Sequence, residues 1–391
     1  MMKLTVARNR LGPVLGRHPW VFSGALKNIP EGLKSGEPVS LVDEQGKFLA
    51  GGYFNSYSQI AVRVWSWQEE EINDYFFSKR IEQAYNLRKR FVENKKTDSY
   101  RLFYSENDFL PGLIVDKYGD YLSVQFHNRG IEMWKEQIVS ALIKVVKPKG
   151  IYERSDVGGR LSEGMAKKSG LLYGEMPEKV KILENGYKFW VDIIGGQKTG
   201  FFLDQRDKRQ ALEKYCAGKS VLNCFSYTGG FSLYALGGGA KKVVSVDASE
   251  SALKLAEENL KLNKFDAKKC DFVQADVKEY LAQPDLEKFD VIVLDPPAFV
   301  KDRHKINEGL QGYRKINEMA LKSIVPGGIL VSASCSIHVT LRDFRFALSE
   351  ASARAGRTLQ ILETYTHGID HPELVAFIEG EYLKCLFALV N

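Results

Sequence analysis

The chain has 391 residues, 44% hydrophobic and 27% charged, with a formal net charge of +6 and five cysteines. This composition excludes a disordered protein and leaves room for two or three domains. The cysteines (Cys216, Cys224, Cys270, Cys335 and Cys385) are odd in number, widely spaced and without a C-x-x-C pair, which argues against a disulfide framework or a metal site.

The first residues contain no apolar signal core, and no apolar run approaches the ~18 residues of a membrane helix. A cytoplasmic protein without membrane contact is expected. Residues 1–68 hold eight basic and four acidic side chains, which is +4 of the total +6. A basic front on a neutral rear suggests an anion-binding accessory module. The same stretch reads as short strands. PVSLVDEQGKFLAGGYFN alternates about Asp43–Gly46 as a hairpin does, and QIAVRVWSW alternates as a further strand. A small β-barrel over residues 1–70 is the expectation.

The acidic run EEEIND marks a boundary, and DYFFSKRIEQAYNLRKRF has helical spacing. GLIVDKYGDYLSVQF reads as two strands and MWKEQIVSALIKVV as an amphipathic helix, giving a small α/β domain over 71–178. KVKILENGYKFWVDI is a hairpin turning at Asn185–Gly186.

A third domain is expected over 179–391. From residue 219, apolar strands alternate with amphipathic helices: SVLNCF, KVVSVDAS, DFVQAD, FDVIVLDPP and GILVSASC each lead into a helix. Two strands near 358–365 and 382–390 follow. This pattern predicts a parallel α/β sheet covered on both faces.

Ligands of such sheets bind at the carboxyl ends of the strands. Four ends are readable. CFSYTGGFS places Phe225, Tyr227, Thr228 and Gly229 in a turn before a helix, and Gly229 with Gly230 permits close backbone approach. Asp247 in VVSVDAS is placed to accept from both hydroxyls of a ribose, and it could also cap its helix. Asp276 in VQAD is placed for a base edge, with a helix cap as the alternative. Asp295 opens the turn LDPP. The chain has neither G-x-G-x-x-G nor G-K-[ST], which disfavours NAD and ATP. A ligand with a ribose and a base but no phosphate fits, and S-adenosylmethionine is the common one.

Cys335 lies where LVSAS stops, beside the Asp-Pro-Pro turn. A thiolate adding to carbon-6 of a pyrimidine makes carbon-5 a nucleophile towards an electrophilic methyl. Cys335 suits that addition, Asp295 suits the charge at ring nitrogen-3, and Pro296 and Pro297 stiffen the turn lining the base. A buried packing role is the ordinary fate of a free cysteine, and Cys224 is the rival thiol.

LDPPAF, SCS, CFSYTGGFS, VVSVDAS and TGFFLDQRDKR, together with GRHPWVFSGAL at residues 16–26, resemble the ribosomal RNA large subunit methyltransferase I family over nearly the whole length. The resemblance implies an N-terminal PUA β-barrel that binds RNA, a small α/β middle domain and a C-terminal class I, Rossmann-like methyltransferase domain. It implies S-adenosylmethionine as cofactor, 5-methylcytosine in 23S rRNA as product, Cys335 as nucleophile and Asp295 as the pyrimidine contact. Phe202 would flank the cofactor, and Gln205 and Arg206 would contact the cofactor or the RNA. DHPELVAFIEGEYLKCL resembles the terminal strands. A homodimer is compatible with the family. One departure is visible: Ala298 follows Asp-Pro-Pro where the family pattern has Lys.

Arg17, His18, Trp20 and Phe22 mix basic and aromatic side chains as an unpaired-base contact requires; Trp20 and Phe22 would equally serve as barrel core. Two other readings compete with cytosine-5 methylation. One is a methyltransferase of the same fold acting on a purine or exocyclic nitrogen, which needs no thiol. The other is a non-catalytic RNA-binding protein.

Overall fold

The structure, a computed structural model, describes residues 1–300 and 302–391. It divides into two compact units. One comprises Met1–Leu183, Val191–Leu203 and Ile369–Gly380, and the other Glu184–Trp190, Asp204–Gly368 and Glu381–Asn391.

The first unit contains two five-stranded sheets. The N-terminal one runs Met2–Thr5, Pro38–Val42, Phe48–Phe54, Ile60–Ser66, Trp20–Phe22 in spatial order. Its alternating strands turn Leu4, Val39, Leu41, Ala50, Val62 and Val64 into one core. The Asp43 carboxylate accepts from the Gln45 and Lys47 amides and closes the expected hairpin. The second sheet runs Lys168–Gly174, Gly150–Ser155, Tyr121–Phe126, Leu113–Tyr118, Tyr100–Tyr104. Helices Asp74–Phe91 and Lys135–Val146 cover it with Phe77, Ile81, Ile138 and Leu142. Tyr53 and Trp65 of the N-terminal sheet are buried in that same core. Shared packing across residue 70 is why the two predicted modules form one unit.

The other unit holds a seven-stranded sheet. We number its strands β1 (Ser220–Cys224), β2 (Lys242–Asp247), β3 (Cys270–Gln274), β4 (Phe289–Leu294), β5 (Ile324–Ser334), β6 (Leu359–Tyr365) and β7 (Lys384–Val390). Their order is β3-β2-β1-β4-β5-β7-β6. β1 to β5 are parallel, while β7 is antiparallel to both neighbours. The central strands are apolar on both faces: Val221, Val243, Val291 and Val331 enter one core, and Leu222, Val244, Ile292 and Leu330 the other. The predicted parallel sheet is therefore present, with an antiparallel β7 inserted between β5 and β6. Sequential reading of the last two strands does not reveal this order.

The covering helices begin where the sequence supplies caps. Ser249 accepts from the Ala252 amide before Glu250–Leu262, and Thr340 with Asp343 forms a capping box before Leu341–Arg354. Because β1 to β5 are parallel, their carboxyl ends gather at one edge of the sheet.

The two late strands expected near 358–365 and 382–390 are present as β6 and β7, but most of DHPELVAFIEGEYLKCL, which resembles terminal strands, is not strand. Within it only the start of β7 is strand, and Ile369–Gly380 belongs to the first unit. Polar anchors hold it there. The Asp370 carboxylate accepts from the Arg101 amide at 2.9 Å, its carbonyl accepts from Arg88, and the Asn107 side chain accepts from the Leu374 amide. The boundary between the units also falls inside TGFFLDQRDKR, between Leu203 and Asp204.

Candidate active site

The turn after β1 is folded back on β2. Phe225 and Tyr227 have φ of 59° and 46°, and Gly229 has 79°. Left-handed backbone at two aromatic residues is costly and persists where the surroundings enforce it. Two bonds do so here: the Ser226 amide donates to the Val246 carbonyl, and the Tyr227 amide donates to Asp247 Oδ2 at 2.8 Å. Gly229 combines φ of 79° with a position where a Cβ would lie 3.0 Å from the Ala256 side chain, so a larger residue is strained at the entry to the helix Gly230–Gly237.

Asp247, half-buried at the end of β2, also takes the Ser249 amide on Oδ1 at 2.9 Å. Each of its oxygens thus spends one lone pair locally and keeps another. Asp276 is exposed and caps the helix Val277–Leu281, with Oδ1 accepting from the Lys278 and Glu279 amides. Its cap alternative is therefore realised, and Oδ2 has no partner among the described residues.

At the end of β4, Asp295 Oδ1 accepts from Gln205 Nε2 at 2.8 Å. Gln205 is 3% exposed, and its Oε1 is buried with no partner among the described residues. Ser226 Oγ and Thr228 Oγ1 are buried and unpartnered in the same way. Buried polar atoms normally find partners. Three such acceptors and donors beside the β1 and β4 ends match a polar ligand bearing hydroxyl and amino groups. S-adenosylmethionine fits that requirement.

Pro296 is buried and Pro297 exposed. Cys335, one residue beyond β5, is half-buried, and its Sγ lies 3.8 Å from the Pro296 carbonyl. Because β4 and β5 are neighbours, the thiol and the Asp-Pro-Pro turn meet at one edge. The other four cysteines are buried. Burial pushes the Cys216 and Cys270 thiols up to about 12 and those of Cys224 and Cys385 higher still. They stay protonated at neutral pH, and the thiolate is the nucleophilic form. Cys224 is thereby reduced to packing, in the core with Leu222 and Leu294. Iodoacetamide at neutral pH is expected to modify Cys335 and spare the other four, as read by peptide mass mapping. Labelling of Cys224 ahead of Cys335 would reverse the assignment.

Arg206 is 4% exposed, with Nε 3.5 Å from Asp207. Phe202 falls in the first unit, half-buried, under the Lys198 ammonium at 4.6 Å. The half-buried Ala298 carries no charge, so the cation of the family pattern is missing there.

In the first unit, Arg17 is exposed and left-handed (φ 66°), with its guanidinium 5.6 Å from the Trp67 ring. Trp20 donates its indole N–H to Glu106 at 2.8 Å and meets Phe377 edge-on at 4.9 Å. His18 Nε2 is 3.2 Å from Glu379. His18, Trp20 and the half-exposed Phe22 line a cavity of about 390 Å³ with Arg10, Pro13 and Glu379. Glu379 and Phe377 come from a segment that reads as methyltransferase sequence, so nothing local announces them here.

Residues 165–386 match a family model of S-adenosylmethionine-dependent methyltransferases, and residues 4–67 match one of PUA-like domains. The chain is 45% identical to a Tolumonas auensis protein named ribosomal RNA large subunit methyltransferase I, covering 97% of both. A Yersinia pseudotuberculosis protein of the same name is 42% identical, covering 98% of both. Among solved structures, a Streptococcus mutans chain described as a SAM-dependent methyltransferase superposes with a TM-score of 0.85 at 27% identity over the whole of both chains. SMU.776, described as a methyltransferase and solved in complex with SAH, gives 0.86 at 27% identity, again over the whole of both. These findings identify the cofactor as S-adenosylmethionine.

Proposed function

Because the chain belongs to the ribosomal RNA large subunit methyltransferase I family, we propose that it methylates carbon-5 of a cytosine in 23S rRNA through a covalent adduct at Cys335. The observation that carries the reading is the pairing of two strand ends. The half-buried thiol beyond β5 faces the Asp-Pro-Pro turn beyond β4, while the other four thiols are enclosed in core. A nitrogen methyltransferase can use an Asp-Pro-Pro turn but has no need of the thiol beside it.

When bound, S-adenosylmethionine supplies an electrophilic methyl group. Asp247 holds free lone pairs for the ribose hydroxyls, and Gln205, Ser226 and Thr228 offer the unpartnered atoms to its polar groups. Cys335 Sγ adds to carbon-6 of the cytosine. Asp295, as its carboxylic acid, gives its proton to nitrogen-3 as the addition places negative charge there, and carbon-5 gains the electron density of an enamine. After carbon-5 carries the methyl, a base takes its proton, the thiolate leaves and nitrogen-3 returns its proton to Asp295, which restores the ring. The target base has to leave its stack to reach Sγ, which favours free rRNA over an assembled subunit. Arg17, His18 and Trp20, at or beside the 390 Å³ cavity, supply a basic and aromatic contact for an unpaired base elsewhere on the same RNA.

The test is to incubate the protein with methyl-labelled S-adenosylmethionine and unmodified 23S rRNA and digest the RNA to nucleosides. Label in 5-methylcytidine supports the reading; label in a methylated purine overturns it.

A further inference from the structure

Cys335 stands one residue beyond β5, and thiol addition tolerates little error in placement. The side chains that bridge its loop to the one beyond β4 therefore matter. Ser336 is fully buried, and its Oγ accepts from the Val300 amide at 3.2 Å, joining the loop beyond β5 to the loop beyond β4. The Tyr313 hydroxyl, from the helix Ile306–Lys322, lies 2.8 Å from the same Oγ. The Tyr313 ring is wholly buried against Phe299 at 4.7 Å and Phe344 at 5.4 Å, so the hydroxyl has a single aim. From β7, the buried Lys384 donates its Nζ to the Ser336 carbonyl at 3.2 Å and to the Tyr382 carbonyl at 3.3 Å. Residue 334 ends β5 and residue 336 is thus held, and residue 335 lies between them.

We propose that Tyr313 is a positioning residue for the thiol: its hydroxyl, acting through Ser336, latches the Cys335 loop to the loop that follows Asp295. The proposal rests on the reading of Cys335 as nucleophile. The latch restricts Sγ to one approach to the base held over the Asp-Pro-Pro turn. The ordinary role of a buried tyrosine hydroxyl, satisfying itself in a core, would leave chemistry untouched once the protein is folded.

Tyr313→Phe separates the two, since it removes one oxygen and keeps the ring packing. Ser336 Oγ then loses the partner that fixes its rotamer towards the Val300 amide. The melting temperature is expected within about 4 °C of wild type, and KM for S-adenosylmethionine and for RNA within about two-fold. kcat is expected to fall roughly ten- to a hundred-fold. The rate of adduct formation on RNA carrying 5-fluorocytosine should fall by the same factor. Ser336→Ala should act alike, and the double variant should be no slower than the slower single one, since both break one latch. An unchanged kcat in Tyr313→Phe, or a loss traced to weakened cofactor binding or unfolding, overturns the latch. If Cys335→Ala is inactive while Tyr313→Phe keeps wild-type kcat, the latch alone fails. If Cys335→Ala is active, the underlying reading fails first.

Discussion

Cys335→Ala is expected to lower the methylation rate at least about a thousand-fold while leaving S-adenosylmethionine affinity within about two-fold of wild type. Without the thiolate, carbon-5 stays within an aromatic ring and lacks the electron density to accept a methyl group. The cofactor contacts assigned here lie at the ends of β1, β2 and β4, and the substitution touches none of them. Single-turnover methylation of 23S rRNA gives the first quantity, and calorimetric titration with the cofactor gives the second. Cys224→Ala is the control. Its sulfur is buried with Leu222 and Leu294, and burial holds the thiol protonated. It is expected to cost about 1–2 kcal/mol of stability as a small cavity and to retain activity. Exchange of these two phenotypes would move the nucleophile to the β1 turn.

Asp295→Asn is expected to lower kcat roughly a hundred- to a thousand-fold. The replacement has the shape of the original and keeps an oxygen for Gln205 Nε2, so the 2.8 Å bond that orients the side chain can persist. The transferable proton is what disappears, since an amide cannot protonate nitrogen-3 when Sγ adds to carbon-6. A slowed adduct on 5-fluorocytosine RNA with unchanged cofactor affinity places Asp295 in the addition step. A large rise in the cofactor dissociation constant with normal adduct formation would make it a cofactor ligand alone.

The legible parts of the molecule are those with local signals. Apolar strands alternating with amphipathic helices announce the seven-stranded unit, because buried strands and covering helices each impose their own period. The Asp-Pro-Pro turn, the Gly229 turn and the Cys335 loop are recognisable because each interrupts an apolar strand abruptly. Asp276 shows the limit of that logic, since an acidic residue between a strand and a helix is the chemistry of a cap as well as of a ligand contact. Tyr313 has no signal of its own. Its partner lies 23 residues further on. Lys384 reads as a solvated lysine in a terminal strand, because β7's insertion between β5 and β6 is what buries it. Residues 369–380 lack any periodicity, and the Arg88, Arg101 and Asn107 contacts that claim them are more than 260 residues away in the chain. The shared core of Tyr53, Trp65, Phe77 and Ile138 is likewise a tertiary fact that two adjacent alternating patterns do not reveal.

The central claim is that Cys335 bonds to the base. Its most direct measurement is the mass of the peptide spanning residue 335 after incubation with S-adenosylmethionine and 23S rRNA containing 5-fluorocytosine, followed by nuclease and protease digestion. Fluorine at carbon-5 cannot leave as a proton does, so elimination stalls. A methylated fluorocytidine nucleotide attached to Cys335 is the predicted result. An unmodified Cys335 peptide from a preparation that still methylates the RNA would contradict the account.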